Sequence, residues 1–165
     1  MFQVSGFKFN VMATIKKFED IEAWKIAREL YKESLRWTQH PVLKHRYRFV
    51  DQVTSSIGSV MDNIAEGFER GSTKEFVQFL GYANGSNAEF RSQLYQARDA
   101  GALSDTEFER MNGQALFVAG KIRNLMKYLR ATELRGVRYL QSVPDSGEPP
   151  SGITEQNHPP ASMSD

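Results

Sequence analysis

The sequence contains no cysteine, and this absence removes a group of chemistries at once. Disulfide bonds, thiol catalysis and cysteine-ligated metal sites are excluded. The chain also lacks an apolar run of about 18 residues, the length that a helix needs to cross a bilayer. Residues 1–17 mix polar and apolar side chains, unlike the charged-then-apolar pattern of a secretory signal. We therefore expect a cytoplasmic protein with no membrane partner.

Acidic and basic residues nearly balance over the whole chain, but they are unevenly distributed. The formal net charge is +1. Residues 1–17 contain three lysines and no acid, whereas residues 142–165 contain four acids and neither lysine nor arginine. The last segment is rich in proline, serine and glycine and has too few apolar residues to offset its ordering entropy. We predict an N-terminal extension that is partly ordered at most (1–17), a folded domain (18–131) and a C-terminal extension (132–165) that is disordered from about residue 142.

Helix-end signals divide the folded part into four helices. Pro41 cannot continue the first helix. Gly71 and Gly101 stand where the second and third helices should stop, because glycine adopts a left-handed conformation without steric cost. Ser72 and Ser104 each precede a glutamate by three residues, the pattern of a capping box that opens the next helix. The predicted helices cover Ile21–Thr38, Lys44–Arg70 and Thr73–Ala100, followed by a fourth that ends near Ala131.

Apolar spacing in helices 2, 3 and 4 is that of a helical bundle. In helix 4 the apolar residues alternate at intervals of three and four, the packing period of a bundle. The predicted inward residues are Phe49, Val53, Ile57, Val60 and Ile64 in helix 2, Phe76, Phe79, Leu80, Ala83, Phe90, Leu94 and Ala97 in helix 3, and Phe108, Met111, Ala115, Val118, Ile122, Leu125 and Leu129 in helix 4. The short turn after helix 2 favours antiparallel neighbours. We predict an all-α protein, an antiparallel up-down-up-down four-helix bundle.

Helix 1 has more apolar surface than one core requires. At 100° per residue its apolar side chains cover roughly 200°, about twice the stripe of an ordinary surface helix. The N-terminal segment could wrap the excess, or a second subunit could cover it. We favour the second interpretation, which predicts an oligomer face formed by Trp24, Ile26, Leu30, Tyr31 and Trp37.

Several polar residues lie on or beside the inward faces of helices 2 and 3. Paired carboxylates in a bundle suggest a di-iron site, but that site needs Glu-x-x-His on two helices, and the chain contains no such motif. Acid–base catalysis by Glu66 and Glu89 lacks a nucleophile, a phosphate loop or a hydrolase motif to support it. We therefore predict no catalytic residue, no metal and no cofactor. The alternative is a buried hydrogen-bonded layer that fixes helix register, formed by Ser56, Asn63, Glu66, Arg70, Ser86 and Glu89.

Two basic clusters are candidates for phosphate contacts. Arg123, Lys127 and Arg130 recur at i, i+4 and i+7 and therefore share one face of helix 4. A row of cations suits nucleic-acid phosphates, because each neutralised phosphate releases a counterion. The same row could instead be an ordinary solvated face near a helix end. The full candidate set is Lys121, Arg123, Lys127, Arg130, Arg135 and Arg138 around helix 4, with Lys44, Arg46 and Arg48 at the start of helix 2.

The residues that join helices 2 and 3 resemble a known bacterial family. The stretch from Asn63 to Ser72 reads NIAEGFERGS and is followed by Glu75-Phe76, Phe79-Leu80, Ala83, Ser86 and Glu89. This pattern is similar to that of the four-helix-bundle proteins encoded in intervening sequences of 23S ribosomal RNA genes. The accessory protein of diversity-generating retroelements is similar in plan. The resemblance implies a ring-like homo-oligomer, a homopentamer, with no known enzymatic activity.

Two functional hypotheses follow from the basic clusters and the resemblance. The retroelement relatives bind nucleic acid and a reverse transcriptase through a basic surface, so the first hypothesis is a small non-enzymatic oligomer that binds RNA or DNA backbone or a nucleic-acid-processing partner. The second is a structural homo-oligomeric scaffold that binds no nucleic acid. Affinity that falls with added salt would separate them, because only phosphate contacts release counterions.

Overall fold

The structure, a computed structural model, describes residues 15–134, and the regular structure in this range is entirely helical. The four long helices are α1 (Glu22–Trp37), α2 (Tyr47–Glu69), α3 (Thr73–Asp99) and α4 (Asp105–Leu134). Short 3₁₀ turns occupy Phe18–Asp20 and Pro41–Leu43, so α2 begins three residues later than predicted. The all-α, four-helix prediction is confirmed for this range. The predictions for residues 1–14 and 135–165, including Arg135 and Arg138, lie outside the described residues.

The ends of the helices follow from local side-chain chemistry. Gly71 and Gly101 have φ angles of 68° and 77°, the left-handed conformation in which other residues are strained. Ser104 and Glu107 form a reciprocal capping box: the Ser104 backbone N–H donates to Glu107 Oε2 (2.9 Å), and the Glu107 backbone N–H donates to Ser104 Oγ (3.3 Å). Ser72 Oγ accepts only one such bond, from the Glu75 backbone N–H at 3.4 Å.

The core lies among the four helices, each of which packs against the next, with α4 closing on α1. The predicted inward residues of α2, α3 and α4 are buried, apart from three that are partly buried: Phe49, Phe79 and Leu125. The heptad pattern therefore identified the core-facing sides of these three helices correctly. Its period of 3.5 residues is the one at which helices pack side by side.

The contact between α2 and α3 depends on a glycine. A Cβ atom added to Gly67 would lie 2.5 Å from Phe79 Cβ and 3.0 Å from Phe76 Cδ2. Phe79 Cβ is attached directly to the backbone of α3, so the two helices could not keep their separation. The rings of Phe68 and Phe76 meet edge to face beside this point, with 5.9 Å between their centroids. Close approach at Gly67 thus brings the aromatic side chains of both helices into contact.

The side of α1 that faces the core consists mostly of small residues. The buried residues of α1 are Ala23, Ala27, Leu30, Ser34 and Trp37, which are spaced at four, three, four and three. Three of the five are alanine or serine, which are small enough to let a neighbouring helix approach closely. Leu35, in contrast, is 42 % exposed.

This arrangement corrects the predicted oligomer face. Leu30 and Trp37 are 0 % and 8 % exposed, so the chain's own core already covers them. Trp24, Ile26 and Tyr31 are partly buried and pack against the same core. These five residues therefore do not form an outward apolar surface.

The segment before α1 covers part of the remaining apolar surface of that helix. The rings of Phe18 and Trp24 meet edge to face, with 5.2 Å between their centroids. Ile15 also packs against the core. Within the described residues, the preceding segment therefore covers part of this surface, as the wrapping interpretation predicts.

Candidate nucleic-acid interface

The outer face of α4 carries a row of three exposed cations. Arg123, Lys127 and Arg130 are exposed, whereas Ile122 and Leu129 beside them are completely buried. Burial of these two neighbours fixes the rotation of α4 and directs the three cations to solvent. The ion pairs found within residues 15–134 include none of the three. We call Arg123, Lys127 and Arg130 the α4 row.

Lys121 was predicted to belong to the same cluster, but its own chain engages it. Its Nζ lies 2.6 Å from Glu22 Oε2 at the start of α1 and 4.8 Å from the centroid of the Phe117 ring. A second ion pair, Arg110 to Glu33 at 2.6 Å, joins α4 to α1 further along both helices. On the side of α4 that faces α1, Arg110 and Lys121 are therefore paired with acids of α1.

The second basic cluster lies at the start of α2, where Lys44, Arg46 and Arg48 are all exposed. Arg46 occupies the N-cap position without a side-chain hydrogen bond, and the first turn of α2 contains no acid. Tyr47, between the two arginines, is 69 % exposed. Arg46, Tyr47 and Arg48 border a groove of about 700 Å³ that also reaches Gln96 near the end of α3. This cluster is therefore positive, accessible and adjacent to an aromatic ring.

The two basic clusters do not meet. Gln96 lines the groove at the start of α2, and Tyr95 contacts Phe108 near the start of α4 with 4.6 Å between the ring centroids. The start of α2 and the start of α4 therefore lie at the same end of the bundle. The α4 row is in the second half of α4, towards the other end. One ligand would have to span most of the length of the bundle to contact both clusters.

The predicted buried polar layer is wrong for its charged members. Glu66 and Arg70 are exposed and form an ion pair at 2.6 Å, and Arg70 also contacts Glu75 at 3.2 Å. The hydrogen bonds that Arg70 donates to Glu66 and, second in effect, to Glu75 raise the pKa of Arg70 above its usual value. The Arg70 guanidinium lies 4.8 Å from the centroid of the Phe79 ring. The charged residues at this turn therefore join the end of α2 to the start of α3 by ion pairs at the surface rather than in the core.

The neutral members of the predicted layer behave differently from one another. Ser56 is buried, and its hydroxyl donates to Gln93 Oε1 at 2.6 Å, which links α2 to α3. Asn63 is half-buried and donates to the Ser59 carbonyl within its own helix at 2.7 Å. Ser86 is half-buried and Glu89 is exposed. Only Ser56 bridges two helices as the prediction required.

Sequence analysis missed the most deeply buried amide. Asn87 is 1 % exposed, and its Nδ2 donates to the Ala115 carbonyl at 2.8 Å, joining α3 to α4. Its Oδ1 is buried without a hydrogen-bond partner among the described residues. Asn87 lies four residues after Ala83 and three before Phe90, so its spacing places it on the inward face of helix 3. This spacing could have predicted its burial.

A further cavity lies between the end of α1 and the connection from α3 to α4. Its volume is about 800 Å³. The charged residues that line it are mostly engaged: Glu33 binds Arg110, and Glu107 binds the backbone and hydroxyl of Ser104. Within residues 15–134, no group of three or more histidine and acidic side chains could hold a metal ion. None of the helices in this range is both long and apolar enough to span a bilayer.

Comparison with known proteins assigns the family. The chain matches none of the curated proteins. A family model, described as 23S rRNA-intervening sequence protein, matches residues 19–124. The match spans α1, α2, α3 and the first two-thirds of α4, and it ends between Arg123 and Lys127 of the α4 row. Because the match covers well over half of the sequence, the chain belongs to the 23S rRNA-intervening sequence protein family.

Proposed function

We propose that this protein is a small, non-enzymatic oligomer that binds nucleic-acid backbone, either alone or within a ribonucleoprotein. The observation that carries the proposal is the α4 row, three exposed cations on one helix face with no carboxylate partner among the described residues. Other cations on the bundle surface, such as Arg70, Arg110 and Lys121, bind acids of their own chain. The row therefore has charge available for an external anion.

Phosphates suit this row better than base edges do. Arginine and lysine side chains that neutralise phosphates release condensed counterions, and this release gives affinity that does not depend on sequence. The spacing of i, i+4 and i+7 places the three cations over about two helical turns, roughly 10 Å. We expect the protein to bind duplex or single-stranded nucleic acid with little base preference at this surface.

We further propose that the four helices form an antiparallel up-down-up-down bundle and that several bundles associate into a cytoplasmic ring, a homopentamer. Contacts between neighbouring helices support the bundle, because residue numbers rise along one helix as they fall along the next: Ser56 pairs with Gln93, and Phe68 with Phe76. The large exposed apolar side chains on α3 and α4, including Tyr82, Leu116 and Phe117, support association between copies.

A ring would make weak phosphate contacts effective. Each copy contributes three unpaired cations, and repetition around a ring raises avidity by roughly 10²–10⁴ without new contacts. A chain with a net charge of only +1 could then hold nucleic acid as an oligomer although the monomer binds it weakly. The predicted absence of catalysis is consistent with the positions of the two carboxylates considered for it, because Glu66 and Glu89 are both exposed.

A structural scaffold is the second candidate function. The exposed apolar residues of α3 and α4 favour it, since they could serve assembly alone. The outward side of α2 also carries exposed acids, Asp51, Asp62 and Glu69, which would repel phosphates. In this case the α4 row would only keep the assembly soluble.

A salt titration separates the two candidates. Binding of a labelled duplex and of a labelled single strand is measured at several salt concentrations, while light scattering monitors the oligomeric state. The binding module predicts an oligomer whose affinity falls linearly on a log–log plot against salt. An oligomer that binds neither probe at low salt would establish the scaffold instead. A monomer that binds with the expected salt dependence would retain the binding role and remove the ring.

A further inference from the structure

The groove at the start of α2 combines three kinds of side chain on one small surface. Its aromatic surface comes from Tyr47 and Phe49 together with the imidazole of His45. Its charged rim is Arg46 and Arg48, and the carboxamides of Gln52 and Gln96 complete the lining. The volume of about 700 Å³ exceeds that of a single nucleotide and is open to solvent.

The polar groups of this groove have no competing partners within residues 15–134. Neither guanidinium forms an ion pair, and neither glutamine side chain forms a hydrogen bond in this range. Asp51, one turn further along α2, is exposed and is not paired with Arg48. An incoming ligand would therefore meet free guanidinium donors and carboxamides that can both donate and accept.

Tyr47 is the most exposed large apolar side chain among the described residues, at 69 %. Its ring contacts His45 edge to face, with 6.4 Å between the centroids, so that contact covers at most one of the two broad faces of the phenol ring. An aromatic ring that stands in solvent between two arginines is a poor contribution to the fold, because it buries little apolar surface. It is suited to stacking against another planar group.

We propose that this groove binds single-stranded nucleic acid, with one base stacked on Tyr47 and the adjoining phosphates held by Arg46 and Arg48. Aromatic side chains within a positive groove are the usual means of holding single strands, because every base has a face that can stack. The carboxamides of Gln52 and Gln96 are then placed to hydrogen-bond the edge of the stacked base. This proposal extends the proposed function, since it adds a site that discriminates single strands from duplexes.

The groove and the α4 row would then have different roles. The row contacts phosphates and accepts duplex and single strand alike, whereas the groove requires an unpaired base. Because the two sites lie towards opposite ends of the bundle, a variant at one leaves the other intact. Their contributions can therefore be measured separately.

The test compares Tyr47→Ala and Tyr47→Phe with the native protein. The probes are fluorescein-labelled 12-nucleotide oligo(U) and oligo(dT) and a labelled 12-base-pair duplex, followed by fluorescence anisotropy at one salt concentration. Tyr47→Ala should weaken binding of the single strands about tenfold, the loss typical of one base stack. Tyr47→Phe keeps the ring and should bind as the native protein does. Duplex binding should be unchanged in both variants.

Leu35→Ala is the control, because Leu35 is another exposed large apolar side chain, at 42 %, and lies on α1 outside both proposed binding surfaces. It should bind all three probes like the native protein. The inference is overturned if Tyr47→Ala binds single strands as tightly as the native protein, or if Tyr47→Phe loses as much affinity as Tyr47→Ala. Unchanged duplex binding in that result would leave the proposed function standing.

The affinity of the native protein for the duplex also separates binding at the groove from binding at the α4 row. If single strands bind through Tyr47 and the native protein has no affinity for the duplex, the groove is supported and backbone binding by the α4 row is overturned. Native protein that binds no oligonucleotide overturns both proposals.

Discussion

The closed end of the α2–α3 hairpin and the outer face of α4 both present arginine to solvent, but in opposite electrostatic states. At the hairpin, Arg70 binds Glu66 and Glu75 and lies against the ring of Phe79. On α4, Arg123 and Arg130 have no acid partner among the described residues. Arg70 is thus already paired with acids of its own chain, whereas Arg123 and Arg130 are available to bind an external anion.

This difference separates residues that stabilise the fold from residues that can bind a ligand. A cation already paired with two carboxylates must lose them before it can bind a phosphate, which cancels much of the gain. An unpaired cation in solvent has no such competitor. This contrast supports a structural role for Arg70 and leaves the cations of the α4 row available for the phosphate binding that we propose.

Asn87 sharpens the comparison, because it is a buried polar group on α3 that contacts the inner side of α4. Asn87→Asp should place a carboxylate where Nδ2 now donates to the Ala115 carbonyl, and the cost should be about 3–5 kcal/mol at pH 7. Burial raises the pKa of such a carboxyl, so the variant should be most stable at low pH and lose stability as the pH rises through that pKa. Denaturant unfolding at several pH values measures both effects.

Ser92→Asp is the control for Asn87→Asp, because Ser92 is exposed on the same helix. It should unfold at nearly the same denaturant concentration as the native protein at every pH. An Asn87→Asp protein that is as stable at pH 7 as the native one would show that the α3–α4 contact is open to water.

Gly67 tests the hairpin side of the comparison. Gly67→Val should destabilise the protein by about 1–3 kcal/mol, because its Cβ would collide with Phe79 Cβ at 2.5 Å. The free energy of unfolding from a urea titration measures the loss.

Gly85→Ala provides the contrast, since nothing lies within 4 Å of a Cβ added at Gly85. Alanine is favoured over glycine inside a helix by about 1 kcal/mol, so this variant should be more stable than the native protein. If Gly67→Val were as stable as Gly85→Ala, the two helices could not be in close contact at Gly67.

Glu66 should matter much less than its place in the family motif suggests. Glu66→Gln removes one of the two acids that contact Arg70 at the surface, where screened ion pairs contribute little. Arg70 keeps Glu75, so we expect a melting temperature close to that of the native protein. A large drop in melting temperature would return Glu66 to the buried layer that the sequence predicted.

The smallest expected effect is at the start of α4. The hydroxyl and backbone N–H of Ser104 hold the pKa of Glu107 below its usual value. This stabilisation is present above the unfolded pKa of about 4.3 and is lost as the pH falls through the lower, folded value. Ser104→Ala should make stability less dependent on pH in the acid range. The melting temperatures of both proteins are measured between pH 3 and pH 6. An identical pH dependence in the native protein and in Ser104→Ala would contradict this prediction.

Sequence analysis succeeded where structure depends on neighbours along the chain. Gly71, Gly101 and the Ser104–Glu107 box act within four residues of a helix end, so their effects could be predicted from the local sequence. The seams of α2, α3 and α4 were also predictable, because large apolar residues repeat there with a regular period.

The buried side of α1 and the partners of the charged residues could not be predicted, because they depend on which helices contact one another. The buried side of α1 is marked by Ala23, Ala27 and Ser34, whose hydrophobic signal is weak although their small size permits close packing. Glu66 was assigned to the interior because it lies beside the predicted inward face of helix 2, yet one residue of helix turns a side chain by about 100°. Lys121 was assigned to the binding cluster because its ion pair with Glu22, a residue far away in sequence, could not be predicted from the local pattern.

Charge reversal of the α4 row tests the central claim most directly. Nucleic-acid binding is compared between the native protein, an Arg123→Glu, Lys127→Glu, Arg130→Glu variant, and a Lys25→Glu, Lys32→Glu, Arg36→Glu variant that makes the same charge change on α1. All three proteins are first matched for oligomeric state and melting temperature. We predict that the α4 variant loses duplex binding while the α1 variant retains most of it. Equal duplex affinity in the α4 variant and the native protein at the same salt concentration would contradict the account.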